Sequence, residues 1–132
     1  MSYQKLIEVA YQDWEENPDF AKACENVITK ISSKEADAFR HLTFSSIKRL
    51  SESSLDINDI ILLTQYLSGD RISLLTTGFE YIGQYGNFIL DEENSYYAYY
   101  ENSIAHPVTG EIIKDVKNDV FMFFTLNEGA TK

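Results

Sequence analysis

Apolar residues recur at three- and four-residue spacing through the first half of the chain and in short β-prone runs through the second. Tyr3, Leu6, Ile7, Ala10, Tyr11 and Trp14 trace one face of an amphipathic helix, predicted over Tyr3–Glu16. Asn17-Pro18-Asp19 then restarts the chain. Asn17 supplies a cap, Pro18 suits a first helical position whose N–H would be unpaired anyway, and Asp19 favours the positive helix end. Phe20, Cys24, Val27, Ile28 and Ile31 form the buried stripe of this second helix. Ser32-Ser33-Lys34-Glu35 matches a capping box and predicts a third helix from about Ser33. Its inward positions are Ala36, Phe39, Ile47 and Leu50, with a break near Leu42-Thr43 and an end in the serine-rich stretch Ser51–Ser54. Asp56 caps a fourth helix over Ile57–Leu67, with Ile57, Ile60, Ile61, Leu63 and Leu67 inward and Gly69 stopping it.

After Gly69 the pattern changes. Ile72–Leu75, Phe79–Ile82 and Phe88–Leu90 are β-prone runs divided by Gly78, Gly83 and Gly86. Asp91-Glu92-Glu93 starts a short helix over Glu92–Asn102, and Thr109-Gly110 makes a hairpin turn between Ile104–His106 and Glu111–Ile113. Val120–Leu126 is apolar at both alternations, so a strand covered on both sides is expected there. The tail from Asn127 is expected to fray. Helices followed by a small antiparallel sheet define an α+β fold, read as a single domain over 1–132 with a helical part at about 3–68 and a mixed, β-rich part at about 71–126. The order helix, short turn, helix, glycine-punctuated hairpin from Lys34 to Leu90 is similar to a winged-helix layout.

Length and composition bound this picture. A chain of 132 residues buries a self-sufficient core, and 44% hydrophobic with 14% aromatic residues is the composition of a folded globule. The lone cysteine, Cys24, forbids an intrachain disulfide and points to a reducing compartment. Met1 to Asp13 lacks the basic start and apolar run of a signal peptide, and Ile60–Leu63 and Val120–Phe124 are too short to span a bilayer. A cytoplasmic chain with no membrane partner is expected.

The net charge is −10, unevenly placed, with no Lys or Arg between Arg71 and Lys114. Phosphate-binding surfaces need Lys and Arg, so this region disfavours nucleic acid and anionic lipid and favours a basic partner. Inside it lies the most unusual local feature, Tyr96-Tyr97-Ala98-Tyr99-Tyr100. On a helix Tyr96 and Tyr100 share a face while Tyr97 and Tyr99 point elsewhere, and on a strand the four would split into two pairs, so either way one surface cannot bury all of them. Tyrosine suits protein interfaces because the ring buries area while the hydroxyl keeps a partner. With Asp91, Glu92, Glu93 and Glu101 beside it, the cluster reads as an acidic-aromatic patch for Lys- and Arg-bearing surfaces; a tyrosine-rich core edge is the plainer alternative.

Other chemistry has thin support. As a winged helix, the chain would present Asp56-Ile57-Asn58-Asp59 to DNA, placing carboxylates where bases and phosphates must be met. The nearest basic cluster is Arg40, Lys48 and Arg49, which a solvated helix face also explains. His41, His106 and Cys24 show no metal-ligand spacing, and neither a cofactor nor a metal is expected. His106 reads as a turn residue and Cys24 as a small core hydrophobe. No G-x-S-x-G elbow occurs, and Gly83-Gln84-Tyr85-Gly86 lacks the lysine of a phosphate cradle. The expected function is therefore a non-catalytic protein-binding module: an adaptor, an accessory subunit or an immunity-like inhibitor. The alternatives are a winged-helix-like DNA-binding regulator, a DNA-mimicking inhibitor of a nuclease or DNA-binding protein, and an enzyme with a site assembled from scattered residues. Self-association, or membership of a larger complex, is compatible with the first of these.

Overall fold

A computed structural model describes residues 2–33 and 41–127. It has the α+β layout: helices first, then a small antiparallel sheet. The chain divides into two compact units, Met1–Thr76 with Phe124–Lys132, and Thr77–Phe123.

The first unit is helical. Helix α1 (Tyr3–Asp13) starts at Ser2, whose side chain accepts from the Lys5 N–H. It stops three residues earlier than expected, because Pro18 holds Asn17 out of the helical region. Trp14 instead turns onto Phe20 and Tyr66, at ring-centroid distances of 4.1 and 5.3 Å. Its inward residues are Leu6, Val9 and Ala10, whereas Tyr11 is exposed and donates to the Glu25 carboxylate.

Helix α2 (Pro18–Ser32) buries the whole expected stripe, Phe20, Cys24, Val27, Ile28 and Ile31. The Asn17 side chain caps it by accepting from the Phe20 N–H. Ser32 closes this helix, its hydroxyl donating to the Thr29 carbonyl. Ser33 follows as its C-cap; Lys34 and Glu35 of the expected capping box, with Ala36, Phe39 and the basic candidate Arg40, lie outside the described residues.

Helix α3 (Phe44–Ser51) opens on a different capping box. Thr43 accepts from the Ser46 N–H while the Ser46 hydroxyl accepts from the Thr43 N–H. The expected break falls just ahead of it, where Leu42 exchanges two backbone hydrogen bonds of 2.7 Å with Phe124. Helix α4 (Ile57–Ser68) is capped by Asp56 and ended by Gly69, as expected. Ile60, Leu63, Thr64 and Leu67 face inward. Ile57 does not: it is 56% exposed, one turn before the buried stripe begins.

Outside the apolar core one polar cluster ties the end of α1 to α4 and the loop after it. Arg71 grips the Asp13 carboxylate through Nε and Nη2 at 2.9 and 3.1 Å, and the Tyr66 hydroxyl donates to the same group at 2.5 Å. Hydrogen bonds from Arg71 and Tyr66 hold the Asp13 carboxyl below its ordinary range. Burial, reinforced by that carboxylate, pushes the Tyr66 hydroxyl well up.

In the second unit, β1 (Leu75–Gly83) pairs antiparallel with β2 (Gly86–Ile89), with Tyr81 opposite Phe88 and Glu80 opposite Ile89. Strand β5 (Val120–Leu126) flanks β1 on the other side, giving the order β2-β1-β5. Helix α5 (Glu92–Glu101) and a second antiparallel pair, β3 (Ser103–Ala105) with β4 (Ile112–Lys114), lie between them in sequence. The buried cluster here is Tyr81, Leu90, Ile104, Ile113 and Val116, with Phe79, Phe88, Ala98 and Val120 packed against it.

Two strand expectations need correction. Ile72–Leu75 is not a strand of its own; only Leu75 enters β1, and Ser73 adopts a left-handed backbone at φ 53°. Gly78 does not divide two strands but sits within β1, with the Phe123 ring lying over it. A Cβ there would come within 2.6 Å of that ring. Gly78→Ala is therefore expected to destabilise the protein by about 1–3 kcal/mol through overpacking, read as the midpoint shift in urea; an unshifted midpoint would show that the ring moves aside freely.

Strand β5 keeps its expected bounds, but it is not covered on both sides throughout. Phe123 and Phe124 are buried, whereas Phe121 is 47% exposed and Met122 is also exposed.

Candidate functional site

The tyrosine cluster lies on α5, and the sequence around it explains why a helix forms there. Asp91 takes an extended backbone and its carboxylate accepts from the Asn94 N–H at 2.8 Å, closing the N-terminus. Glu92 and Glu93 occupy the first turn, where the helix dipole favours negative charge. Asn102 ends the helix in a left-handed conformation at φ 53°. Its side-chain oxygen accepts from the Lys117 N–H at 2.9 Å, which fixes the chain leading into β5.

A side chain that sequence reasoning passed over secures the helix laterally. The Asn94 amide donates to the Ala105 carbonyl at 3.1 Å and accepts from the Ala105 N–H at 3.0 Å. This two-way bond fixes the rotation of α5 against β3 and so decides which residues face outward.

The outward set is Tyr96, Tyr99 and Tyr100, at 56%, 81% and 66% exposure. Tyr96 and Tyr100 pack one turn apart with centroids 4.6 Å apart and planes inclined by 39°, the face-sharing expected for a helix. Tyr99 joins them edge-on to Tyr100 at 4.8 Å instead of pointing away. No α5 residue is fully buried. Tyr97 is less exposed: it is half-buried, its ring meets Tyr96 edge-on at 5.8 Å, its hydroxyl donates to Glu93 at 3.3 Å, and the Glu93 charge pushes its pKa up. With Glu101 it lines a recess beside Ile104 and Ile112.

The four acidic candidates are divided. Asp91 is engaged as the cap, Glu92 and Glu93 stand at the N-terminal end of α5, and Glu101 stands at its C-terminal end. The ring cluster is therefore flanked by carboxylates at both ends of one short helix. Of the basic candidates, Lys48 and Arg49 are exposed in the last turn of α3, where the helix dipole favours cations.

Against the strands of the same unit, α5 leaves a cleft of about 520 Å³ lined by Phe79, Ser95, Tyr96, Ala98, Tyr99, Lys117, Val120 and Met122. Sequence reasoning missed it. The available signal was alternation: Val120 and Met122 fall two apart on β5, and Phe79 two before the buried Tyr81 on β1.

The remaining candidates have structural roles. His106 Nδ1 accepts from the Val108 and Thr109 N–H groups, holding the β3–β4 turn. Cys24 is fully buried, and burial pushes its thiol pKa up to about 12, far from a reactive thiolate. Among the described residues no three His, Cys, Asp or Glu side chains are grouped to hold a metal ion, and no helix is long and apolar enough to cross a membrane. No protein-family model, curated protein or solved structure matches the chain.

Proposed function

We propose that the chain is a non-catalytic protein-binding module, an adaptor, accessory subunit or inhibitor, that docks a basic surface of a partner protein on α5. One observation carries the reading: three exposed tyrosines, Tyr96 and Tyr99 each in ring contact with Tyr100, stand on a helix with carboxylates at both ends. Exposed aromatic rings in contact with one another form a preordered apolar platform, and burying such rings supplies much of the energy of protein interfaces. Their π-faces attract Lys and Arg. The second unit carries eight acidic and two basic residues, a field that steers a basic partner toward it. No observation favours the DNA-binding alternative, since the start of α4 holds Asp56 and Asp59.

Tyr99→Ala and Tyr100→Ala are each expected to leave the fold intact, because little of either ring is covered. At least one should weaken partner binding by more than about 1 kcal/mol. The measurement is quantitative mass spectrometry of proteins retained by immobilised wild-type and variant chains, followed by titration of the retained partner. An identical retained set, with unchanged affinity for both variants, would remove α5 from the interface.

A further inference from the structure

We propose that the second unit also carries a binding site for a small amphipathic anion, an apolar or aromatic body bearing one anionic group, in the cleft between α5 and the strands. This does not rest on the docking reading, which uses the outward rings of Tyr96, Tyr99 and Tyr100; the two share Tyr96 and Tyr99, while Tyr100 belongs to the docking surface alone.

The size and chemistry of the cleft carry the inference. About 520 Å³ falls within the range of small-molecule sites, which are mostly apolar with a few polar groups that fix orientation. Phe79, Ala98, Val120 and Met122 supply apolar wall, and the Tyr96 and Tyr99 rings supply faces on which a flat body can stack. The charge of the lining runs against that of its surroundings. Residues 77–123 hold eight acidic and two basic side chains, yet among the described residues no Asp or Glu lines the cleft and one of the two bases, Lys117, does.

The Lys117 ammonium makes no ion pair or hydrogen bond among the described residues. Its nearest acidic neighbours in sequence are turned to other tasks. Asp115 accepts from the Asn102 amide, and the Asp119 carboxyl carbon lies 3.3 Å from where a Cβ at Gly83 would stand. An unpaired cation beside an apolar wall selects a ligand with an anionic end and an apolar body. The more distant carboxylates of the unit are screened over about 8 Å at physiological salt. Ser95 adds direction: its hydroxyl hydrogen is given to the Asp91 carbonyl, leaving the oxygen free to accept from a donor on the ligand.

A matched pair of fluorescent probes tests this. 8-Anilinonaphthalene-1-sulfonate has the required anionic group on an aromatic body, and N-phenyl-1-naphthylamine is the same body without the sulfonate. The sulfonate probe is expected to bind the full chain one to one and more tightly than the neutral probe. Lys117→Met keeps an apolar stem and removes the charge. It should weaken the sulfonate probe about three- to tenfold while leaving the neutral probe unchanged. Amide shifts on adding the sulfonate probe should centre on Ser95, Ala98, Lys117 and Met122. Absence of binding, stoichiometry above one, equal affinities that Lys117→Met does not separate, or shifts centred away from the cleft would each overturn the proposal. Lys117 is exposed, so circular dichroism of Lys117→Met is expected to match wild type. Tyr100 does not line the cleft; a Tyr100→Ala variant that binds the probe normally while losing its protein partner would separate this site from the docking surface.

Discussion

Phe20→Ala is expected to lower the free energy of unfolding by about 3–5 kcal/mol. Phe20 is 1% exposed at the first turn of α2, and its ring packs on Trp14. The indole in turn lies edge-on to Tyr66, so this one ring supports a contact chain joining α1, α2 and α4. Truncation removes the transfer free energy of the ring and leaves a cavity that the helices close only partly. One detail places the effect toward the lower end of that range. Trp14 Nε1 is buried without a hydrogen-bond partner among the described residues, and the ring vacated lies against this indole, so water entering the cavity can pair with the donor. Phe20→Leu, which keeps most of the volume and adds no polar group, should cost less than about 1.5 kcal/mol. Urea unfolding followed by far-ultraviolet circular dichroism measures both, and a loss under about 1 kcal/mol for the alanine variant would mean that this contact chain does not hold the helices.

How far such features could be read from the chain depended on how local their causes are. Helices α2 and α4 were legible because their boundaries are written into adjacent residues: Asn17-Pro18 opens one, and Asp56 and Gly69 bracket the other. The end of α2 has a local cause too, while Glu35, the far half of the capping box expected at Ser32, lies outside the described residues. The apolar period of α2 continues through the buried Ile31, and Ser32 stays in that helix. Thr43 and Ser46 form the box that opens α3, although serine in place of the usual Glu or Gln hides it from a motif search.

Gly78 was misread for a non-local reason. A glycine in a β-prone run signals either a break or a close approach, and what decides it is the ring of Phe123, forty-five positions away. The candidate site divides along the same line. The Asp91 cap marks the helix, and on it the four-residue spacing of Tyr96 and Tyr100 puts their rings on one face. The turning of Tyr97 toward Glu93, the Asn94 bond to Ala105 and the cleft with Lys117 follow from how β1, β3 and β5 meet α5. No short window of sequence contains that information.

Tyr81→Ala should have an effect of similar size on the second unit, about 3–5 kcal/mol. Tyr81 is 1% exposed and belongs to a cluster of five buried residues among those described, so its truncation removes a large share of that core. Its ring stacks on Phe88, directly opposite on β2, with centroids 5.0 Å apart and planes inclined by 22°. The phenol extends along β1 over Gly83, where a Cβ would meet the hydroxyl oxygen at 2.6 Å. The missing side chain at Gly83 is thus what lets the ring lie flat, and losing the ring leaves space that β1 cannot fill from its own sequence. Ile104, Ile113 and Ala98 pack in the same cluster, so the loss should reach α5 as well as the hairpin. Hydrogen exchange is the discriminating measurement. In Tyr81→Ala the amides of Tyr97 to Glu101 and of Ile104 and Ile113 should lose protection, whereas Tyr81→Phe, which retains the ring, should keep it. Wild-type protection at those amides in the alanine variant would mean that α5 is held by its caps and the Asn94–Ala105 bonds alone, and that the exposed tyrosine platform does not depend on the core beneath it.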